Sequence, residues 1–188
     1  MDNQLTTQRL SIRAFEVGDL VSFTEYRADP QIAQYQSWSD YSLEQAQNLF
    51  DQMDYQQFGE PGLWFQLAIA DNRTDQIMGD IALHFIDEQQ MEIGFTIAKD
   101  YQQQGVAYEA VSAVIEFLFN SLNKHRIVAT TDAENFASMA LLLKLGFRKE
   151  GHYLQNIFFK GRWGDECFFA MLNSEYKAKV KEGVNVLR

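Results

Sequence analysis

Hydrophobic and polar positions along this chain recur with two distinct periods, and the switches between them divide it into strands and helices. Met91, Ile93, Phe95 and Ile97 alternate with Glu92, Gly94 and Thr96, the pattern of a strand over residues 90–97. Strand-like runs also cover residues 63–70 and 76–85, and polar turns at 71–75 and 87–89 make the three a meander. Downstream, Ala107, Ala110, Val111, Val114, Ile115 and Leu118 return every three or four residues, which predicts an amphipathic helix to about Asn120. Residues 9–15 predict a first strand, and 17–28 and 42–54 predict helices, the second with Ser42 as N-cap and Gln45 placed for a capping box.

A strand over 126–131 precedes a short helix that Asn135 opens and Gly146 ends, with Met139, Leu142 and Leu143 expected to face inward. Two last strands, over 151–159 and 162–172, meet at the Lys160-Gly161 turn. This order of elements is that of a mixed α/β sandwich. Only Pro30 and Pro61 interrupt the chain, and no long polar linker divides its 188 residues. A single domain over 1–188 is expected, with a core over about 7–172 and a tail over 173–188. The tail carries Lys177, Lys179, Lys181 and Arg188, a basic stretch that a solvated helix or a frayed end explains.

Charge and cysteine usage narrow the function. A net charge of −10 argues against a general nucleic-acid-binding role, which needs clustered cations, and suits a cationic substrate. The lone Cys167 excludes an intrachain disulfide framework and lies in an apolar run where a buried thiol is expected. His125 and His152 form no metal-ligand pattern with a carboxylate pair, so no metal is expected. The chain shows neither a basic-then-apolar leader nor an apolar run of about 18 residues, which gives the cytoplasm as the expected location and no membrane partner.

The most informative stretch is the polar turn between the strand at 90–97 and the helix that follows. Gln102, Gln103, Gln104, Gly105, Val106 and Ala107 feed into a helix N-terminus, where unpaired N–H groups and the positive end of the helix dipole favour an anion. Gly105 lets the backbone approach a pyrophosphate. No Gly-rich lysine loop and no Gly-x-Gly-x-x-Gly run occurs, which counts against the P-loop and dinucleotide folds.

This Gln-x-x-Gly-x-Ala turn resembles the acetyl-coenzyme A loop of the GCN5-related N-acetyltransferase (GNAT) superfamily. A second block, Asn135, Ser138, Leu142, Leu143, Lys144, Leu145, Gly146, Phe147 and Arg148, is similar to the later helix of the RimJ/RimL-like ribosomal-protein N-acetyltransferase branch. Thr7, Arg9, Leu10, Ile12 and Arg13 resemble that family's first strand, and Asp29, Pro30, Tyr35 and Trp38 its early helix-loop segment. The resemblance implies a mostly antiparallel central sheet of about seven strands flanked by about four helices. It also implies acetyl-CoA as co-substrate, a primary amine acceptor and a homodimer. In such a fold two central strands splay apart, and the pantetheine arm lies between them beside the main chain of Phe95, Thr96 and Ile97.

Roles follow from the resemblance and from the chemistry of acetyl transfer. Glu92 shares a strand face with Gly94 and Thr96, whose small side chains leave room for substrate, and is the candidate base. Ser138 is the candidate to assist the departing thiol, and Asn135 to bind the pantetheine amide. Tyr35, Trp38 and His84 are the candidate acceptor-binding residues. Gln103 and Gln104 stand where many relatives have Gly and a cation, so the loop lacks its own cationic phosphate contact. Ile157, with Gln155 and Asn156 beside it, stands where RimL-like enzymes carry a carboxylate, which places more weight on Glu92. The acceptor is expected to be a protein N-terminus or a small cationic amine such as a polyamine or an aminoglycoside. An acyl-CoA-binding regulatory module with little turnover is the alternative.

Overall fold

A computed structural model describes residues 4–183; Arg188 of the basic tail lies outside the described residues. The elements in chain order are β1 (Leu5–Thr6), β2 (Leu10–Ala14), α1 (Leu20–Ala28), α2 (Pro30–Ala33), α3 (Leu43–Asp51), β3 (Trp64–Asp71), β4 (Ile77–Phe85), β5 (Gln90–Ile97), α4 (Val106–Glu116), β6 (Arg126–Asp132), α5 (Phe136–Leu145), β7 (Arg148–Phe159), β8 (Arg162–Leu172) and α6 (Asn173–Lys181). The strands form one eight-stranded sheet in the order β1-β2-β3-β4-β5-β6-β8-β7. Every pairing is antiparallel except β5 with β6, which α4 connects as a crossover. The mixed, mostly antiparallel architecture is therefore as expected.

The counts differ from the expected seven strands and four helices, for local reasons. β1 is two residues long and shows no period of its own. α2 is a four-residue turn that Pro30 starts and the Asp29 carboxylate caps by accepting the Gln31 N–H. α6 buries one residue, Tyr176, and so carries no apolar stripe. It is nonetheless docked: the Tyr176 ring lies 5.3 Å from Phe119, Lys179 donates to the Gly146 carbonyl, and Arg148 pairs with Glu175. In α5 Leu142 and Leu145 are buried and Met139 packs partly buried against the same core, as expected for Met139 and Leu142, while Leu143 is exposed because it sits about 100° around the helix from Leu142.

The sheet has a layer on each face. On one, Leu67, Ile69, Ile81, Leu83, Met91 and Ile93 meet Val106, Ala110, Val111 and Val114 of α4 and form the main core. On the other, Phe15, Phe23, Tyr26 and Ala46 pack around Ala68. Asp80, 1% exposed, ties that second layer to β4. It accepts from Tyr26 and from Arg27 at 3.0 Å, and the Gln66 amide also donates to it. Burial first, then the Asp80 charge, pushes the Tyr26 phenol well up, so Tyr26 stays a neutral donor. The Arg27 guanidinium is sandwiched between the Trp38 ring at 4.1 Å and the Phe23 ring at 4.2 Å. Among the described residues no helix is long and apolar enough to cross a membrane.

Candidate active site

The sheet is split at its centre. β5 and β6 pair only through Gln90–Arg126, Met91–Ile127 and Glu92–Val128, and beyond Glu92 the two strands separate. A cavity of about 250 Å³ opens there. Strand alternation assigns its walls to two faces. Ile93, Phe95, Ala129, Thr131, Asn135, Ser138 and Leu142 line it on the α4 and α5 side. Gly94, Thr130, Asp132, Glu166, Ile157 and Phe159 line it on the opposite side, together with Tyr35, Gln36 and Ser37 after α2. The cavity thus passes through the sheet.

At the end of β5 the polar turn leads into α4. Gly105 is the N-cap at φ +80° and Gln103 has φ +59°, so two left-handed residues turn successive amides outward ahead of the helix. Two glutamines pin this loop from within. Gln102 Nε2 donates to the Ile97 carbonyl at 3.0 Å, and Gln104 Nε2 donates to the Asp100 carbonyl at 2.6 Å. The helix start keeps its free N–H groups, a ready anion site.

The cation that the loop lacks in sequence arrives from β2's flank. Arg9 Nη1 donates to the Gln104 carbonyl at 3.1 Å, its Nε donates to Glu109 at 2.7 Å, and its Nη2 lies 3.5 Å from where a Cβ on Gly105 would stand. Glu109, in the first turn of α4, also accepts from the Thr7 hydroxyl at 2.6 Å. Burial alone would raise the Glu109 carboxyl, but the bonds from Thr7 and Arg9 outweigh it and hold the group below its ordinary value. Arg9 therefore offsets the Glu109 carboxylate, which stands in the first turn of α4 beside the loop. Thr7 and Arg9, read from sequence as part of the first strand, lie in the bend between β1 and β2, and nothing in that sequence signalled the loop 95 residues away.

Asn135 caps α5: its Oδ1 accepts the Ser138 N–H at 3.1 Å. That bond uses the amide oxygen and leaves Nδ2 available to a carbonyl in the cavity. Ser138 lies in the first turn, one helical turn before Leu142, and both line the cavity. Of the other expected residues, Phe95 and Tyr35 line it too, and the Tyr35 hydroxyl donates to the Glu134 carbonyl at 3.4 Å.

Glu92 lies on the same face as Gly94, one pleat further from the opening, where the sheet is still closed by Val128. It is half-buried, its Oε2 is 3.6 Å from His84 Nδ1, and it does not line the cavity. His84 in turn stacks on Trp64, with centroids 4.5 Å apart and rings 6° from parallel. Trp38 packs on Arg27 and donates its indole N–H to the Arg27 carbonyl at 2.9 Å. Trp38 and His84 are thus held outside the cavity wall, and Thr96 and Ile97 are buried in β5 beside it. The residues that sequence reasoning passed over are Asp132 and Glu166, brought opposite each other by the β6–β8 register. Among the described residues no group of three or more His, Cys, Asp or Glu could hold a metal ion.

Comparison with known proteins agrees with this geometry. The family model described as the acetyltransferase (GNAT) domain matches residues 9–148. The uncharacterized N-acetyltransferase YnaD of Bacillus subtilis is 32% identical over 173 residues, covering 92% of this chain and 98% of the relative. The [ribosomal protein uS5]-alanine N-acetyltransferase of Escherichia coli is 31% identical over 84 residues, 45% of this chain and 43% of that one. Spermidine N(1)-acetyltransferase of Vibrio cholerae is 25% identical over 168 residues, 89% of this chain and 95% of the relative. Among solved structures, the GNAT-family acetyltransferase from Bacillus anthracis superimposes with a TM-score of 0.82 at 27% identity, covering 92% of this chain and 99% of that one. With a split central sheet, an anion-ready loop and matches that span the domain, this chain belongs to the GNAT acetyltransferase family and is an N-acetyltransferase that uses acetyl-CoA.

Proposed function

We propose that the enzyme moves the acetyl group directly from acetyl-CoA to a primary amine bound beside it, the acceptor being a protein N-terminus or a small cationic amine. The observation that carries this reading is the cavity that crosses the split sheet, with a coenzyme-side wall on α5 and a separate polar wall opposite. The amides of residues 103–107 hold the pyrophosphate, and Gln102 fixes that loop to β5. The main chain of Phe95, Thr96 and Ile97 runs beside the pantetheine arm as an added strand would, and Asn135 Nδ2 donates to an arm carbonyl.

In the transfer, the neutral amine attacks the thioester carbonyl, the C–S bond breaks, and the oxyanion is held by a β5 N–H near Phe95 or Thr96. Glu92 takes the amine's proton through water, and the Ser138 hydroxyl hydrogen-bonds the sulfur as the thiolate leaves. A base matters most for a lysine-like amine with a pKa near ~10.4, and less for an α-amine near ~7.7. Tyr35 contacts the acceptor, while Trp38 and His84 support its binding face. A homodimer and a cytoplasmic location belong to the same proposal, the first checked by light scattering.

The test is a thiol-release assay with acetyl-CoA against a peptide with a free N-terminus, spermidine and an aminoglycoside. Stoichiometric thiol release and amine acetylation with one of these classes is the expected result. Coenzyme binding with no turnover on all three would count against the reading.

A further inference from the structure

We propose that Glu166 binds a positive charge of the acceptor and so selects which amines the enzyme takes. The inference rests on the acetyl-transfer reading above and adds to it the residue that recognises the acceptor.

Glu166 reaches the cavity through two registers. β6 pairs with β8 so that Asp132 faces Glu166, on the sheet face shared with Glu92 and Gly94. On its other side β8 meets β7, which is bulged: Tyr153 faces Glu166 but Ile157 faces Gly164, where an unbroken ladder would put Gln155. Asp165 holds this bulge by accepting the Gln155 N–H at 2.8 Å and meeting His152 Nε2 at 3.1 Å. The bulge returns Asn156 toward β8, and its side-chain amide donates to Glu166 Oε2.

That partner is the informative one. An amide orients a carboxylate without cancelling its charge, as a lysine or arginine would. On the β7–β8 hairpin Arg162 forms its ion pair with Glu134, and Lys160 donates to the Ala33 carbonyl, a bond that leaves its charge in place; neither makes an ion pair with Glu166. Among the described residues no lysine or arginine lines the cavity, and Glu166 Oε1 carries no hydrogen bond. Across from it, Asp132 Oδ1 already accepts the Glu134 N–H at 2.7 Å. A half-buried, oriented and uncompensated carboxylate is completed by a cation with hydrogens to donate. The acceptor supplies an ammonium. The anionic parts of the coenzyme do not compete, since their site is at the start of α4.

Glu92 and Glu166 therefore divide the work. Glu166 holds an ammonium of the acceptor at the open end of the cavity while the reacting amine lies nearer Glu92. Spermidine, which carries amines beyond the one that reacts, is the probe. It is titrated by calorimetry into enzyme saturated with CoA, using wild type, Glu166→Gln, Glu166→Asp and Asn156→Ala. Glu166→Gln is expected to weaken spermidine about tenfold or more, the scale of a lost charge-assisted hydrogen bond. Its CoA affinity should equal that of wild type, which also shows that the variant is folded. Glu166→Asp and Asn156→Ala keep the charge and should lose less. Equal spermidine affinity in wild type and Glu166→Gln, or no spermidine binding by wild type, would overturn the inference. Turnover of spermidine with unaltered affinity in Glu166→Gln would sink this inference alone and leave the acetyl-transfer reading standing.

Discussion

Gly105 and Glu92 carry opposite halves of the proposed reaction, and each makes a prediction that isolates its half. Gly105 sits at φ +80°, where an L side chain costs roughly 1–2 kcal/mol. A Cβ there would meet only Arg9 Nη2, at 3.5 Å, an ordinary contact. The cost is therefore in the backbone, and Gly105→Ala should already carry most of the effect of Gly105→Val. Both should weaken CoA by about tenfold as the loop relaxes to negative φ and its amides turn away. Calorimetry that finds wild-type affinity in both would remove the loop from coenzyme binding. Glu92→Gln should leave CoA affinity alone and lower kcat by about a hundredfold or more at neutral pH, the usual scale for a lost base. The variant's rate should then climb steeply from about pH 7 towards the amine pKa near ~10.4, because only amine already neutral in solution can react. A pH profile parallel to that of wild type would take the base role from Glu92.

Elements position these residues, and Gly79 in β4 shows how tightly. A Cβ on Gly79 would lie 2.3 Å from the Thr96 carbonyl oxygen and 3.0 Å from Ile97 Cα, both backbone atoms of β5. Gly79→Ala must therefore push β5 away from β4 next to the split, at a cost of about 1–3 kcal/mol for overpacking. The expected outcome is a lower midpoint in denaturant unfolding together with weaker CoA binding. Lost stability with untouched CoA affinity would mean that this end of β5 does not position the coenzyme. The period of β5 and the stripe of α4 were legible in the sequence because each buries one face more than the other, and β3 because it is a largely apolar run buried on both faces of the sheet. The loop and the start of α5 were legible for another reason: Gly105, Asn135 and Gly146 mark local backbone needs. β7 was read as starting at Gly151, yet it begins at Arg148 and carries a bulge set by Asp165, a residue of the neighbouring strand. Arg9 beside Gln104, and Glu166 beside Asp132, arise only from pairing between distant segments. Local pattern holds no record of such meetings, so sequence reading placed the site's carboxylate at Glu92 and passed over Glu166.

Over the whole molecule, 26 acidic residues outnumber 16 basic ones, and the net charge of −10 acts on the two substrates with opposite sign. A polycationic acceptor is drawn toward the surface, and anionic acetyl-CoA is repelled until the loop amides take hold at contact distance. These long-range effects are screened by salt, whose Debye length shrinks from about 10 Å at 0.1 M to about 3 Å at 1 M. Contacts inside the cavity are screened far less. kcat/KM for spermidine should therefore fall severalfold between about 0.1 M and about 1 M salt, while the KM for acetyl-CoA stays level or improves. The same salt slope should persist in Glu166→Gln on a lower absolute rate, because the field belongs to the surface as a whole whereas Glu166 acts at hydrogen-bond range. Salt thus separates attraction to the molecule from recognition in its cavity. A flat response in wild type would show that net charge plays no part in acceptor capture. A slope that disappears in Glu166→Gln would instead place the whole electrostatic effect in that single carboxylate.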